Sequence, residues 1–134
     1  MLPRDRRERR GAALVELAIV LPLLIAFMLA SVEFCGVINS LQAVQATAHE
    51  AARLAARRSG TNAAVAQLGD DMLTQRGVNG ATIATTPRNI EGLPPGTQIT
   101  VKVDAPYALN TWLPNYRLYP SNTMSAEVVV VKQY

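Results

Sequence analysis

The chain has 134 residues, enough for one small domain and an appendage. Its formal charge of +3 lies wholly in residues 1–10, where Arg4, Arg6, Arg7, Arg9 and Arg10 outnumber Asp5 and Glu8; taking these seven from the totals of 13 basic and 10 acidic residues leaves eight of each. A nucleic-acid surface needs cations spread over the folded part, so nucleic-acid binding is excluded, and a lone cysteine, Cys35, excludes an internal disulfide.

The N-terminal stretch reads RRERRGAALVELAIVLPLLIAFMLASVEFCG. Residues 17–32 carry no charge, and with residues 12–16 the apolar run reaches 21 residues, close to the ~20 that cross a hydrocarbon core. The arginines ahead of it predict a cytoplasmic N-terminus and translocation of the chain beyond the span. The run is longer than the apolar core of a secretory signal, and it ends without an A-x-A-like cleavage site. Glu33-Phe34 breaks the pattern that a lipoprotein signal needs before its cysteine, so Cys35 reads as a small residue at the membrane boundary. Pro22 and Gly36 are bend points that a membrane helix tolerates.

Glu16 is the exception inside this span. An ionisable residue there is a functional candidate, since an acidic side chain at the centre costs about 2.5–3.5 kcal/mol on insertion scales and less near the interface. Two readings are open: the carboxylate sits at headgroup level, or it meets a cation. A cut between Gly11 and Ala12 would make Glu16 the fifth residue of the product. The new α-amino group of one subunit could then neutralise the carboxylate of its neighbour.

The helical pattern continues past the span. Phe34, Val37, Leu41, Val44, Ala48, Ala51 and Ala55 recur at steps of three and four, a seam-like stripe that narrows to alanine and admits a close helical neighbour. The glycine of SGTN, after Arg57-Arg58, predicts the helix end; a helix over 12–58 would run about 70 Å at ~1.5 Å per residue. A second helix is predicted over 62–76, with Ala63, Ala66, Leu68, Met72 and Leu73 as its apolar side and Asp70-Asp71 as a solvated face. The period then changes to two. TQITVKVD (97–104) alternates Ile99, Val101 and Val103 against polar residues, SAEVVVVK (125–132) is β-branched, and ATIATT (81–86) is a third strand. EGLPPGT is a turn by its Pro and Gly content. The segment 106–122 carries Tyr107, Trp112, Tyr116 and Tyr119, which either cover the open face of the sheet or form a contact surface for a partner.

No enzyme is expected. His49 is the only histidine, and there is no phosphate loop, CxxC or plausible pair of catalytic carboxylates. No metal, cofactor or small-molecule substrate is expected either. The fold class is α+β: a long N-terminal transmembrane-to-periplasmic helix, a second short helix, and a mainly antiparallel sheet of three to four strands. The expected division is a basic leader (1–11), a transmembrane helix (12–34), its amphipathic periplasmic continuation (35–58) and a small α+β domain (59–134).

RRGAALVELAIVLPLL, with ATAHEAARLAARRSG downstream of it, resembles the TadE-like proteins of tight-adherence (Flp pilus) loci, a group of type IV pilin-like proteins. The resemblance covers residues 9–58. It implies a minor pilin or pseudopilin of the bacterial inner membrane, with its domain periplasmic, cut by a prepilin peptidase and taking part in pilus biogenesis and surface adherence. Its partners would be other pilins or pseudopilins and the pilus assembly platform. Carried over by position, Gly11 is the last leader residue, Ala12 the new N-terminus, Glu16 the glutamate of the motif, Pro22 the stem proline and Glu50-Ala51-Ala52-Arg53 the EAAR-like segment. Leu17 departs from the aromatic that Flp-type pilins place after the glutamate. The alternatives are an uncleaved single-pass scaffold of the pilus machine and a general secretion pseudopilin.

Overall fold

The structure, a computed structural model, describes residues 4–112 and 122–133, with side chains from residue 11. The elements run α1 (Arg4–Ala56), α2 (Asn62–Gln75), β1 (Thr82–Thr86), β2 (Gln98–Pro106), a 3-10 turn (Tyr107–Leu109) and β3 (Thr123–Val131). This is the α+β architecture the periodicities predict. The chain divides into two units, residues 1–35 and 36–134.

In the first unit α1 from Ala12 to Phe34 is mostly Leu, Ile, Val, Ala, Phe and Met, and its large apolar side chains between Leu14 and Phe34 stand 40–71% exposed. Pro22 lies inside the helix and removes one backbone donor. Ser31 Oγ donates to the Phe27 carbonyl at 2.8 Å, the back-bond by which a hydroxyl is satisfied within an apolar helix. A continuous apolar surface of this kind is unfavourable in water; α1 is long and apolar enough to cross a membrane.

In the second unit the remainder of α1 packs on the sheet. It ends at Ala56, two residues short of the predicted Arg58, because the chain turns at Gly60, whose N–H donates to the Arg57 carbonyl at 3.0 Å. A Cβ on Gly60 would stand 2.4 Å from the Leu54 carbonyl oxygen, so only glycine fits without backbone movement. Thr61, in extended conformation, then caps α2, its Oγ1 accepting from the Ala64 N–H at 3.2 Å.

The face α2 buries is Val65, Gly69 and Leu73, whereas Ala63 and Ala66, assigned to it from sequence, are exposed. Gly69 explains the difference. A Cβ there would meet Ile83 Cδ1 at 2.0 Å and Thr47 Cγ2 at 3.6 Å, so the helix makes its closest approach to α1 and β1 at a position that carries no side chain and no apolar signal.

The sheet is antiparallel with order β1-β2-β3, registered by Ile83↔Val103 on one side of the central strand and Val101↔Val128 on the other. Ile99, Val101, Val103 and Ala105 are fully buried beneath the helices, each larger side chain contributing about 1.5–3 kcal/mol of burial. One cluster joins Ala43, Val44 and Ala48 of α1 to Val103, Ala105 and Met124; a second joins Ala51, Ala52 and Ala55 to Ile99 and Val101.

The other face of the sheet mixes polar residues with the exposed Val129 and Val131, and on it Lys102 Nζ lies 2.9 Å from Asp104 Oδ2. Partial burial pushes the Asp104 carboxyl up, but hydrogen bonds from Ser125 and Lys102 and the lysine charge outweigh it, and the net direction is below the ordinary value. A carboxyl lowered in this way stabilises the fold fully above the ordinary aspartate range, and that contribution is lost as pH falls through the lowered value. Lys102 is raised, mainly by its hydrogen bond to Asp104, so its share is present below the ordinary lysine range and lost as pH rises through the raised value. The pair is partly solvated, so Asp104→Asn is expected to leave the neutral-pH unfolding midpoint close to the parent and to shallow the acid limb of a stability–pH profile. An unchanged acid limb would remove Asp104 from that account.

Candidate functional site

Gly11, Ala12 and Glu16 lie on α1, all exposed. A Cβ on Gly11 would meet nothing within 4 Å among the described residues. Glu16, with Ala13, Leu17 and Val20, lines a shallow notch of about 300 Å³ on the helix surface. Glu16 has no hydrogen-bond or ion-pair partner among the described residues. The side chains that line the notch with this carboxylate are apolar.

The stem stripe divides into two parts. Val44, Ala48, Ala51 and Ala55 are completely buried, Val37 nearly so and Leu41 partly, while Phe34 is 59% exposed. Ala43, Thr47, Ala52 and Ala56 are buried beside them, so the buried face is a broad double row rather than a narrow seam. Its partners are the strands and α2 of the same domain. Alanine suits this contact because the helix backbone can settle onto the pleated sheet with little side-chain thickness between them. Within the described residues, the large apolar side chains of α1 that remain exposed are those of the run up to Phe34 and Ile38, while Gln42, Gln45, His49, Glu50 and Arg53 form an exposed polar face.

The aromatic segment also divides. Tyr107 packs against the cluster of Ala43, Val44 and Met124, whereas Trp112 is 92% exposed. Tyr116 and Tyr119 lie outside the described residues. Cys35 is exposed and unpaired with another cysteine, and His49 is exposed on α1. Among the described residues no three His, Cys, Asp or Glu side chains gather as a metal site.

Lys132, read from sequence only as the polar limit of the last strand, is the buried cation of the domain's core edge. It is 4% exposed, and its Nζ donates to the carbonyls of Ala55 at 3.2 Å and Ile90 at 3.3 Å. Ala55 stands in the last turn of α1, where carbonyls lack helical partners and the helix end carries partial negative charge. The backbone reinforces the join: the Gln133 N–H donates to the Ala56 carbonyl at 2.8 Å, and the Lys132 N–H to the Thr97 carbonyl at 2.9 Å. Asn62 holds Ile90 in place from the other side, its Nδ2 donating to the Arg88 carbonyl and its Oδ1 accepting from the Ile90 N–H at 3.3 Å. Strand parity is the signal that could have found it. Met124, Ala126, Val128 and Val130 alternate on the inward side, and Lys132 is next in that series.

Comparison with known proteins bears on the stem. No curated protein and no solved structure matches the chain significantly. Residues 11–53, from the glycine of the opening motif to the arginine of the EAAR segment, match the family model of TadE-like protein.

Proposed function

We propose that the chain is a minor pilin or pseudopilin of a type IV tight-adherence (Flp) pilus system, with a structural rather than catalytic role. In this reading α1 anchors it in the bacterial inner membrane with the N-terminus cytoplasmic and the domain periplasmic. A prepilin peptidase cuts between Gly11 and Ala12, and the stem then joins other pilins or pseudopilins on the assembly platform. The observation that carries the reading is the extent of the family match. It runs unbroken over residues 11–53, beginning at the glycine of the proposed cut, passing through Glu16 and the exposed apolar surface, and ending in the buried face that holds the domain.

The division of α1 supports a reading of where the subunit contacts lie. The stripe from Val44 to Ala55 is occupied by the domain's own sheet, so pairing falls to the apolar surface around Glu16. There the α-amino group of Ala12 from a neighbouring subunit meets the Glu16 carboxylate, each relieving the other of a charge that the bilayer disfavours. Glu16→Gln keeps the shape and removes the charge. It should insert normally and retain pilin-like partners at least about tenfold less well in pull-down, the factor that ~1.4 kcal/mol represents; unchanged recovery would count against the pairing.

The direct test is the intact mass and N-terminal sequence of the protein from the membranes of its native host. A start at Ala12 supports a processed pilin. A start at Met1 or Leu2, with an active prepilin peptidase present, would leave an uncleaved single-pass scaffold acting through its domain.

A further inference from the structure

Lys132 carries a charge that the described residues do not balance. Its ammonium group has three N–H donors, of which two go to the carbonyls of Ala55 and Ile90. Carbonyls bind an ammonium group without neutralising it, and a cation that is only 4% exposed is costly to bury without a counter-ion. Glu91, beside Ile90, and Glu127, on β3, are both exposed. No carboxylate of the described residues forms an ion pair with Lys132.

The same lysine lines a cleft of about 490 Å³, together with Arg58 and the turn at 92–95. Arg58 follows Ala55 by three residues and the turn begins two residues after Ile90, so the ammonium group is bonded to both segments that wall the cleft. Leu93, Pro94 and Pro95 make part of that wall apolar and, through the prolines, stiff. A second cleft of about 420 Å³ shares Gln133 with the first and is lined by Arg53, Arg57, Val130 and Val131. No acidic residue lines either one. Arg53 is held by Glu50 at 3.1 Å, but the exposed guanidinium groups of Arg57 and Arg58 have no partner among the described residues.

We infer that the two clefts take an acidic segment of a partner protein, with one carboxylate meeting Lys132 and Arg58 and a second meeting Arg57. A small free anion would satisfy the charge but leave the apolar walls at Leu93, Pro94, Pro95, Val130 and Val131 uncovered. A glutamate side chain, with an apolar stem and a charged end, suits both kinds of wall. The site lies wholly within residues 36–134, and it stands whether or not the chain is cut at Gly11.

The chain has two lysines, Lys102 and Lys132, so lysine labelled with carbon-13 at Cε gives one NMR signal at the site and one reference signal away from it. The full chain in phosphatidylcholine nanodiscs is titrated at constant ionic strength with a capped Glu-Ala-Glu peptide. The matching Gln-Ala-Gln peptide and inorganic phosphate are separate arms. The expected result is saturable movement of the Lys132 signal with the acidic peptide and little with the other two, while Lys102 stays in place. Arg58→Gln should weaken that binding roughly fivefold, the scale of an exposed charge pair. An equal response to the glutamine peptide would show that the apolar walls bind without the charge, and tighter binding of phosphate would show a site for a free anion; either overturns the inference. So does a static Lys132 signal, or equal movement of both lysines, which is screening alone. If removal of Tyr134 moves the Lys132 signal and is required before the peptide binds, the chain's own end fills the cleft, and the partner segment is overturned as its occupant.

Discussion

Lys132→Met should lower the stability of the domain by about 2–4 kcal/mol, because it removes the donor from two buried carbonyls and the cation from a helix C-terminus. The substitution keeps most of the apolar stem of the side chain, so little of the loss comes from packing. The carbonyls of Ala55 and Ile90 are then stranded in a region that Gln133, Asn62 and the 92–95 turn help to close. For a domain of this size each kcal/mol corresponds to roughly 4–8 °C in Tm, an effect readily measured by circular dichroism or pulse proteolysis on the full chain in nanodiscs. Lys102→Met is the matched control: the same chemical change on the solvated face of the sheet, where Nζ reaches only the side chain of Asp104. It should be hard to distinguish from the parent. Equal losses in the two variants would show that apolar substitution of any sheet lysine is the cause, and Lys132 would lose its role as the tie between β3 and α1.

Much of this architecture is legible in the sequence wherever side chains carry the signal. The alternation of Ile99, Val101 and Val103 places a strand and its buried face, and β2 has that face. The change of period after residue 80 marks the change from helix to sheet. The misread places have physical reasons. α2 approaches its neighbours through Gly69, which has no side chain to register in any periodicity. The stripe of α1 announces a buried face, but alanine spacing does not say whether a helix or a pleated sheet lies opposite, and a sheet does. Lys132 terminates the apolar run by type yet continues it by parity, and here parity prevails because α1 offers carbonyls for the ammonium group to bind. Composition alone leaves Tyr107 and Trp112 in one class, whereas Tyr107 packs against the core cluster and Trp112 is exposed. Glu16 is visible as an anomaly in the sequence itself, since a carboxylate in an apolar run is conspicuous without any structure.

Gly11→Leu should abolish processing nearly completely, and the structure makes the outcome interpretable. A Cβ at Gly11 meets nothing within 4 Å among the described residues, and leucine favours a helix over glycine by up to ~1 kcal/mol. The variant therefore has no reason to misfold or to fail in membrane insertion. Under the proposed processing, a block would then arise at the peptidase, with the branched side chain overfilling the place of the residue before the cut. Gly11→Ala, with a single methyl group, should be slowed rather than stopped. The uncut chain keeps all five leader arginines and with them the whole formal excess of +3. Moving even one such cation to mid-bilayer costs about 2.5–3.5 kcal/mol, which in the proposed orientation would hold the precursor at the cytoplasmic face. It also lacks the α-amino group of Ala12, so Glu16 stays without its proposed cation even where subunits meet. The precursor should accumulate in the membrane as a stable, folded protein of unchanged domain stability and be absent from pilus-associated fractions. A mature band starting at Ala12 from the leucine variant would refute the cut site. A precursor that still co-assembles would show instead that the stem pairs through its apolar surface alone, with the charge pair unnecessary.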